Sequence, residues 1–518
     1  MKKDTIAAIA TALSDSGIGI VRVSGKEALE IVNKVFRNKF GKSSLLSYKS
    51  HTIRYGYIVD NYNMDNFNIE ETGEKKSDSI IDDTWKSAIV DEVMVAVMKA
   101  PNTYTTEDTV EINCHGGVLL MQKILELVVK NGARIAEPGE FTKRAFLNGR
   151  IDLAKAEAVI DVIHSQNEFA LNSSIEQLKG SVSEAVRKMR EEIIYEIAFI
   201  ESALDDPEHI SLDGYEERLA DKTSDILKRL QKLIASADNG KLMKEGISTV
   251  IVGKPNAGKS SLLNRLVGEE RAIVTDIAGT TRDVLQESIK LHGIGLNMID
   301  TAGIRNTEDV VEKIGVERAK EYAAKADLIL YVVDASVPLD ESDVDIISVI
   351  RDKKVIVLLN KSDLDMVVEE ADLIKCFISE RNLSTIKEKS AVNYNENEIN
   401  ISDENIAKCG ADSMRIIRTS TKENIGMDEF ENVITDMFFQ GEIKANNEVI
   451  ITNMRHKEAL MDAENSLKMV MSSLEDHMPE DFYSIDLMSA YASLGTIIGE
   501  EVGEDLVNEI FSKFCMGK

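Results

Sequence analysis

The run Gly253-Lys254-Pro255-Asn256-Ala257-Gly258-Lys259-Ser260 puts a lysine and a hydroxyl at the end of a glycine-bounded loop. It follows the apolar stretch Thr249-Val250-Ile251-Val252 and leads into Ser261-Leu262-Leu263-Asn264-Arg265-Leu266-Val267-Gly268, a helical pattern. Strand, small-residue loop and helix in that order make a phosphate cradle, because the loop amides and the helix N-terminus aim positive charge at phosphate oxygens. Lys259 then supplies a point charge near the outer phosphates, and Ser260 offers a hydroxyl to magnesium. Asn256, Ala257, Gly258, Lys259, Ser260 and Ser261 are the expected contacts.

Downstream, Thr275-Asp276-Ile277-Ala278-Gly279-Thr280-Thr281 supplies hydroxyls where a switch loop is expected, and Thr281 is the candidate for a second magnesium contact. Asp300 ends the apolar run Gly295 to Ile299 and heads Asp300-Thr301-Ala302-Gly303. Its carboxylate suits magnesium, directly or through water, and Gly303 an outer phosphate oxygen. Base choice follows from Asn360-Lys361-Ser362-Asp363 at the end of an apolar strand. A carboxylate at Asp363 accepts from both nitrogens of one guanine edge, whereas adenine would leave a buried charge unpaired. Ser420, Thr421 and Lys422 are expected to pack around the base. The pattern implies GTP rather than ATP.

Ile304 stands directly after this motif, where many small GTPases carry a water-orienting glutamine. An apolar side chain cannot position water, so another group must. One candidate is a carboxylate in the next segment, Glu312; the other is a cation beside the phosphate loop. Asn256 offers an amide oxygen there, and switch-loop carbonyls could complete a potassium site.

The elements that must position these groups exceed one core. With 518 residues, 43% hydrophobic and 29% charged, the chain has the size and composition of a soluble protein of about three domains. Strand and helix patterns alternate to about residue 145, implying an α+β domain. Long helical periodicity follows to about 240 and returns from about 445 to the end, so the nucleotide segment is inserted into a helical domain. The expected division is 1–149, 150–244, 245–442 and 443–518, in a multidomain α/β fold whose inserted domain has a parallel sheet. Residues of about 60–90 and 380–411 are polar and acidic, as surface insertions are. No apolar run approaches the roughly 18 residues of a membrane span, which suggests a cytoplasmic protein. Four cysteines lack zinc-type or redox-pair spacing. The net charge of −29 excludes a protein that coats nucleic acid over its whole surface, and no basic stripe stands out.

The sequence resembles the MnmE/TrmE family over nearly its whole length. The resemblance rests on Gly17 to Gly25, Asn102 to Gly117, Arg134 to Val159, the phosphate loop, Thr275 to Asp283, Asp300 to Arg305, Glu312 to Ala319, Thr452 to His456 and the terminal Phe514 to Lys518. It implies an N-terminal tetrahydrofolate-binding and dimerisation domain, a helical domain in two segments and an inserted G domain. It further implies a homodimer that joins an FAD-dependent MnmG/GidA-family partner in a heterotetramer. That assembly adds an aminomethyl or carboxymethylaminomethyl group to carbon 5 of the tRNA wobble uridine, with methylenetetrahydrofolate as one-carbon donor. By the same resemblance folate contacts fall on Arg22, Glu111 and Arg150 with Lys518 nearby, and potassium contacts on Asn256, Thr275, Ile277 and Thr280. The catalytic carboxylate falls on Glu312, and the terminal thiol of Cys515 receives a functional role. A pterin with a guanine-like donor edge and a glutamate tail would suit one carboxylate and one or two arginines. The rival class is a ribosome-assembly GTPase like the Era or Der families; no KH-type domain or second G domain is visible after residue 440.

Overall fold

The computed structural model describes residues 4–42, 45–60, 83–165, 167–206, 208–269, 287–291, 294–299, 326–377, 414–439, 449–515 and 517. The chain divides into two compact units, Met1–Ile163 with Glu176–Ala220 and Asn465–Lys518, and His164–Ile175 with Asp221–Glu464.

The first unit is built on a seven-stranded sheet: β1 (Ile6–Ile9), β2 (Ser16–Ser24), β3 (Phe36–Arg37), β4 (Thr52–Val59), β5 (Ile89–Met98), β6 (Thr109–Gly116) and β7 (Arg134–Ile135), in the order β3-β4-β5-β6-β2-β1-β7. Successive side chains alternate between faces. Val21 and Val23 on β2, Val93, Val95 and Val97 on β5, and Val110 and Ile112 on β6 are therefore buried together. They pack against α1 (Ala28–Val35) and α2 (Val118–Lys130), whose Ile31, Val32, Val35, Met121, Ile124 and Leu127 lie in the same core. The same alternation sends Arg22 and Glu111 to the opposite face, where β2 and β6 pair them. Trp85, inside the stretch expected to be a surface insertion, is 7% exposed and lies beside Tyr57 with ring centroids 5.6 Å apart. Apolar burial thus makes residues 83–90 part of the fold; 61–82 lie outside the described residues.

Helices α3 (Glu140–Leu147), α4 (Leu153–His164), α6 (Ser181–Asp205), α12 (Glu480–Ile498) and α13 (Glu504–Ser512) belong to this unit; α5 (Glu168–Lys179) divides between the two. Arg190 on α6 lies 3.9 Å from the Tyr491 ring centroid on α12 and pairs with Glu500 at 2.8 Å. No helix among the described residues is long and apolar enough to cross a membrane.

The second unit holds a six-stranded sheet of β8 (Ile247–Val252), β9 (Glu287–Leu291), β10 (Ile294–Met298), β11 (Leu328–Asp334), β12 (Val355–Asn360) and β13 (Met414–Arg418), ordered β13-β12-β11-β8-β10-β9. All pairings are parallel except β9 with β10. Strands covered on both faces read as near-continuous apolar runs. Leu328, Leu330 and Val332 of β11 enter one core layer, and Ile329, Tyr331 and Val333 the other. The first layer includes Leu262, Leu263 and Leu266 of α8 (Lys259–Glu269), and Phe430 and Ile434 of α10 (Met427–Phe439). The second includes Ile347 and Ile350 of α9 (Glu341–Ile350). Helix α7 (Tyr215–Glu245) precedes β8, and α11 (Met454–Glu475) precedes α12; both divide between the units.

A buried ion network ties β1 and β7 to α3. Arg144, 4% exposed, donates to Asp4 and Glu140 at 2.9 Å each and to Glu107 at 3.1 Å; Arg134 donates to Asp4 and Glu140 at 2.7 Å each. Arg134 holds the Asp4 carboxyl below the usual carboxylate range. Burial alone would raise Glu140, but Arg134, the Glu137 amide and Arg144 outweigh it and hold it low as well. Replacing Arg144 with methionine leaves Asp4 and Glu140 with Arg134 alone, takes the arginine from Glu107, and should cost the N-terminal unit about 3 kcal/mol, the low end for breaking a buried pair. Denaturant unfolding followed by fluorescence of Trp85, the chain's one tryptophan, measures this. Because both folded pKa values are depressed, the network's stabilisation should be complete above about pH 5 and fade below it. The variant should lose most of that pH dependence.

Candidate functional site

The C-terminal ends of β8 and β12 and the residues after β13 gather the described nucleotide motifs. At Gly258, whose φ is +105°, an added Cβ would come 2.1 Å from the Asn360 amide nitrogen, so the close approach itself requires glycine. The Asn360 side chain, 1% exposed, donates from Nδ2 to the Ala257 carbonyl at 2.8 Å and accepts from the Thr421 amide at 3.2 Å. One buried amide therefore joins the phosphate loop to both base-side segments.

Lys259 opens α8 and donates to the Gly253 and Lys254 carbonyls at 2.8 and 2.7 Å. Burial pushes its ammonium below the usual lysine range, so a phosphate oxygen would meet a poorly hydrated cation. Ser260 and Ser261 follow it on the exposed side of the helix start, and Asn256, also exposed, has φ +62°. Lys254 pairs with Asp343 at 2.6 Å and Asp340 at 3.0 Å, and Tyr331 donates to Asp343 at 2.8 Å. Burial would lower the Lys254 pKa, but these carboxylates raise it on balance. Asp340 also caps α9. The sequence reading missed this brace; a lysine inside the loop with two acids three apart was its only signal.

Asp363 accepts from the Ser420 hydroxyl at 2.6 Å, and that hydrogen bond leads in holding its carboxyl below the usual range. The carboxylate is exposed in the turn beyond β12. Ser420 is fully buried, with paired amides to Ile425. Lys361 reaches back to Asp334 at 2.6 Å; burial alone would raise the Asp334 pKa, but Lys361 and Ser336 outweigh it. The Lys422 side chain is 80% exposed, 3.5 Å from Glu423. Thr275, Asp276, Ile277, Ala278, Gly279, Thr280, Thr281, Asp300, Thr301, Ala302, Gly303 and Glu312 lie outside the described residues.

The first unit brings a second set together. Arg22 donates to Glu111 at 2.8 Å and to the Gly517 carbonyl at 3.0 Å. Its guanidinium lies 5.7 Å from the Tyr104 ring centroid and 5.6 Å from that of Phe141, while Arg150 lies 4.5 Å from Tyr104. Tyr104 and Thr142 share a hydroxyl hydrogen bond of 2.9 Å. Gly517 has φ +91°, and a Cβ there would meet the Ile9 carbonyl at 2.3 Å, so the tail seats only with glycine. Two residues earlier, the Cys515 carbonyl accepts from the Gly139 amide at 3.4 Å, and Cys515 is exposed. The structure thus unites Arg22, Glu111 and Arg150 with the chain's end; Lys518 lies outside the described residues. Tyr104, Phe141 and Thr142 were missed as site residues although they stand inside stretches the resemblance quoted. An aromatic face beside two arginines suits a flat conjugated ring, and the Glu111 carboxylate suits its donor edge.

The profile of the GTP-binding protein TrmE N-terminus matches residues 5–150, and that of the MnmE helical domain matches residues 153–515. A tRNA modification GTPase MnmE from Lachnoclostridium phytofermentans is 52% identical over 518 residues, covering 100% of each chain. Its counterpart from Clostridioides difficile is 44% identical over 515 residues, covering 99% of each. The G domain of the T. maritima FeoB iron transporter is 20% identical, with 37% of this chain and 98% of that one covered; its TM-score of 0.23 bears on nothing further. Identity of this degree, end to end, leaves one assignment: the chain belongs to the MnmE family.

Proposed function

We propose that this chain is a GTP hydrolase of tRNA modification that couples its nucleotide cycle to one-carbon chemistry at the wobble uridine. Family membership supports GTP hydrolysis, use of magnesium and action in tRNA modification. The observation that carries the nucleotide reading is the Asn360 amide, which binds the loop of Ala257 and Gly258 to Thr421 and stands three residues before Asp363. Phosphate and base contacts are thereby held at a fixed separation.

In this reading residues 245–442 form the G domain. Asn256 through Ser261, Thr275 through Thr281 and Asp300 through Gly303 contact phosphates and magnesium, while Asn360, Lys361, Asp363, Ser420, Thr421 and Lys422 contact the base. Ser260 and Thr281 hold magnesium, which supplies charge neutralisation at the phosphates. The left-handed backbone at Asn256 turns that residue at the loop's outer side, consistent with an amide oxygen offered to potassium together with Thr275, Ile277 and Thr280. Positive charge there acts where other GTPases use an arginine. Glu312 orients the attacking water across a dimer of G domains.

Residues 1–149 form the folate-binding and dimerisation domain, and 150–244 with 443–518 the helical domain. Arg22, Glu111, Arg150 and Lys518 would hold a 5,10-methylene or 5-formyl tetrahydrofolate, supported by the arginine, aromatic and carboxylate set beside Gly517. Bound folate supplies the one-carbon unit. Cys515 takes part in that chemistry, a reading supported by its exposure two residues before Gly517, whose carbonyl accepts from Arg22. The homodimer works in the cytoplasm with an FAD-binding MnmG/GidA-family partner as a heterotetramer.

Replacing Asp363 with asparagine removes an acceptor for the two guanine donors and introduces an amide donor. GTP affinity should fall about a hundredfold, whereas a xanthine nucleotide, with an oxygen at the same edge, should gain; competition against a fluorescent guanine nucleotide measures both. GTP hydrolysis should run at least about tenfold faster in potassium than in sodium at equal ionic strength, and Glu312→Ala should lower it by about 10² or more at saturating potassium. Equal rates in the two salts would remove the cation site. A gene deletion complemented with wild type or Cys515→Ser, read by mass spectrometry of wobble nucleosides, tests the pathway. Wild type alone should restore aminomethyl-type uridines; nucleosides unchanged by deletion would favour the ribosome-assembly class.

A further inference from the structure

Charge is laid out unevenly along this chain. From Ile31 to Val59 there is no Asp or Glu, yet Lys34, Arg37, Lys39, Lys42, Lys49 and Arg54 fall there, in a protein of net charge −29. These cations make no stripe in the sequence because they are spread through a helix end, two strands and a loop. The fold gathers it: β3 is the edge strand of the N-terminal sheet, and residues 38–51 connect it to β4.

Three of the cations serve the fold. Lys34 donates to the Asn131 carbonyl at 3.1 Å, Arg37 to the Lys34 and Phe36 carbonyls at 2.9 and 2.8 Å, and Arg54 lies 4.4 Å from the Tyr48 ring centroid. Lys39, Lys42 and Lys49 remain exposed, and none of them pairs with a carboxylate among the described residues. Beside them Phe40 is 62% exposed, with the Lys39 ammonium 4.9 Å from its ring centroid. The loop tip is not frayed. Asn38 Oδ1 accepts from the amides of Phe40 and Lys42 at 2.9 and 3.0 Å, and the Asn38 amide donates to the Lys42 carbonyl at 2.9 Å. Gly41 lies against the Trp85 indole, so the turn is anchored from behind while Phe40 faces outward. On β5 the exposed Glu92, bonded to Tyr55, bounds the patch on the sheet side.

A chain this acidic gains nothing in solubility from Lys39, Lys42 and an outward aromatic ring on one hydrogen-bonded turn, with a third exposed lysine, Lys49, before the next strand. Together they match one kind of ligand, a polyanion with exposed π-faces, which is unpaired RNA. We propose that residues 38–42 together with Lys49 form an RNA-contact surface on which Lys39, Lys42 and Lys49 neutralise phosphates and Phe40 stacks on an unpaired base of the tRNA substrate. The proposal rests on the tRNA reading and adds the place where the tRNA is held.

The test is filter binding of the full-length protein to an unmodified tRNA transcript across a salt series, with GTP hydrolysis without tRNA as the control for folding. Combined Lys39→Gln, Lys42→Gln and Lys49→Gln should weaken binding about ten- to a hundredfold near 0.1 M salt and flatten the log–log salt slope by about 2. Phe40→Ala should weaken it about tenfold with the slope unchanged. Basal hydrolysis should stay at the wild-type level in both. A triple variant that binds with wild-type affinity and slope overturns the location alone, provided wild type binds. A wild-type protein with no affinity for the transcript overturns the tRNA reading with it. Loss of binding to phosphatidylglycerol vesicles, with tRNA affinity intact, would reassign the patch to a membrane surface.

Discussion

The buried side chain of Asn360 is the tie on which the nucleotide site depends. An amide with both donor and acceptor satisfied can join two other backbone segments, and here those segments are the phosphate loop and the turn after β13. Because the group is 1% exposed, leaving either half unpaired would carry a full desolvation cost, so both segments are held to it. Gly258 follows from the same contact, since the space a Cβ would occupy is filled by that amide. The parallel sheet makes the tie possible by ending β8, β12 and β13 at one edge with a register that leaves Asn360 beside Asp334 rather than in the core.

In the first unit the organising constraint is the alternation of β2 and β6. Valines and isoleucine on one face exclude water against α1 and α2, and that burial turns Arg22 and Glu111 to the other face as direct cross-strand partners. The arginine then has donors left for the carbonyl of Gly517, so that residue is bound through its backbone. Such a contact needs close approach more than shape, which explains glycine at that position. Neighbouring rings of Tyr104 and Phe141 keep the guanidinium in a partly dry setting, where hydrogen bonds to it are stronger.

Charge in this protein is managed by position. Acid dominates the composition, yet the buried network around Arg144 consumes Asp4, Glu107 and Glu140, and the brace around Lys254 consumes Asp340 and Asp343. Arg134 and Arg144 hold the Asp4 and Glu140 carboxyls low, and Lys254 does the same for Asp340. The run from Ile31 to Val59, by contrast, holds six cations and no carboxylate, and its Lys39, Lys42 and Lys49 are exposed.

The sequence by itself determined the chemistry that depends on contiguous residues. The Gly253–Ser260 loop and the Asn360–Asp363 turn are short motifs whose backbone conformation and side-chain types are local properties, and apolar runs disclosed the strands that carry them. Tertiary structure alone decided what depends on contacts distant along the chain. Arg22 meets Gly517 across nearly the whole sequence, Lys254 meets Asp343 from another element, and Trp85 turns a polar-looking stretch into core. Periodicity and motif report what a segment prefers; which side chains share a pocket, a brace or a surface is fixed only when strand order and register bring them within hydrogen-bond reach.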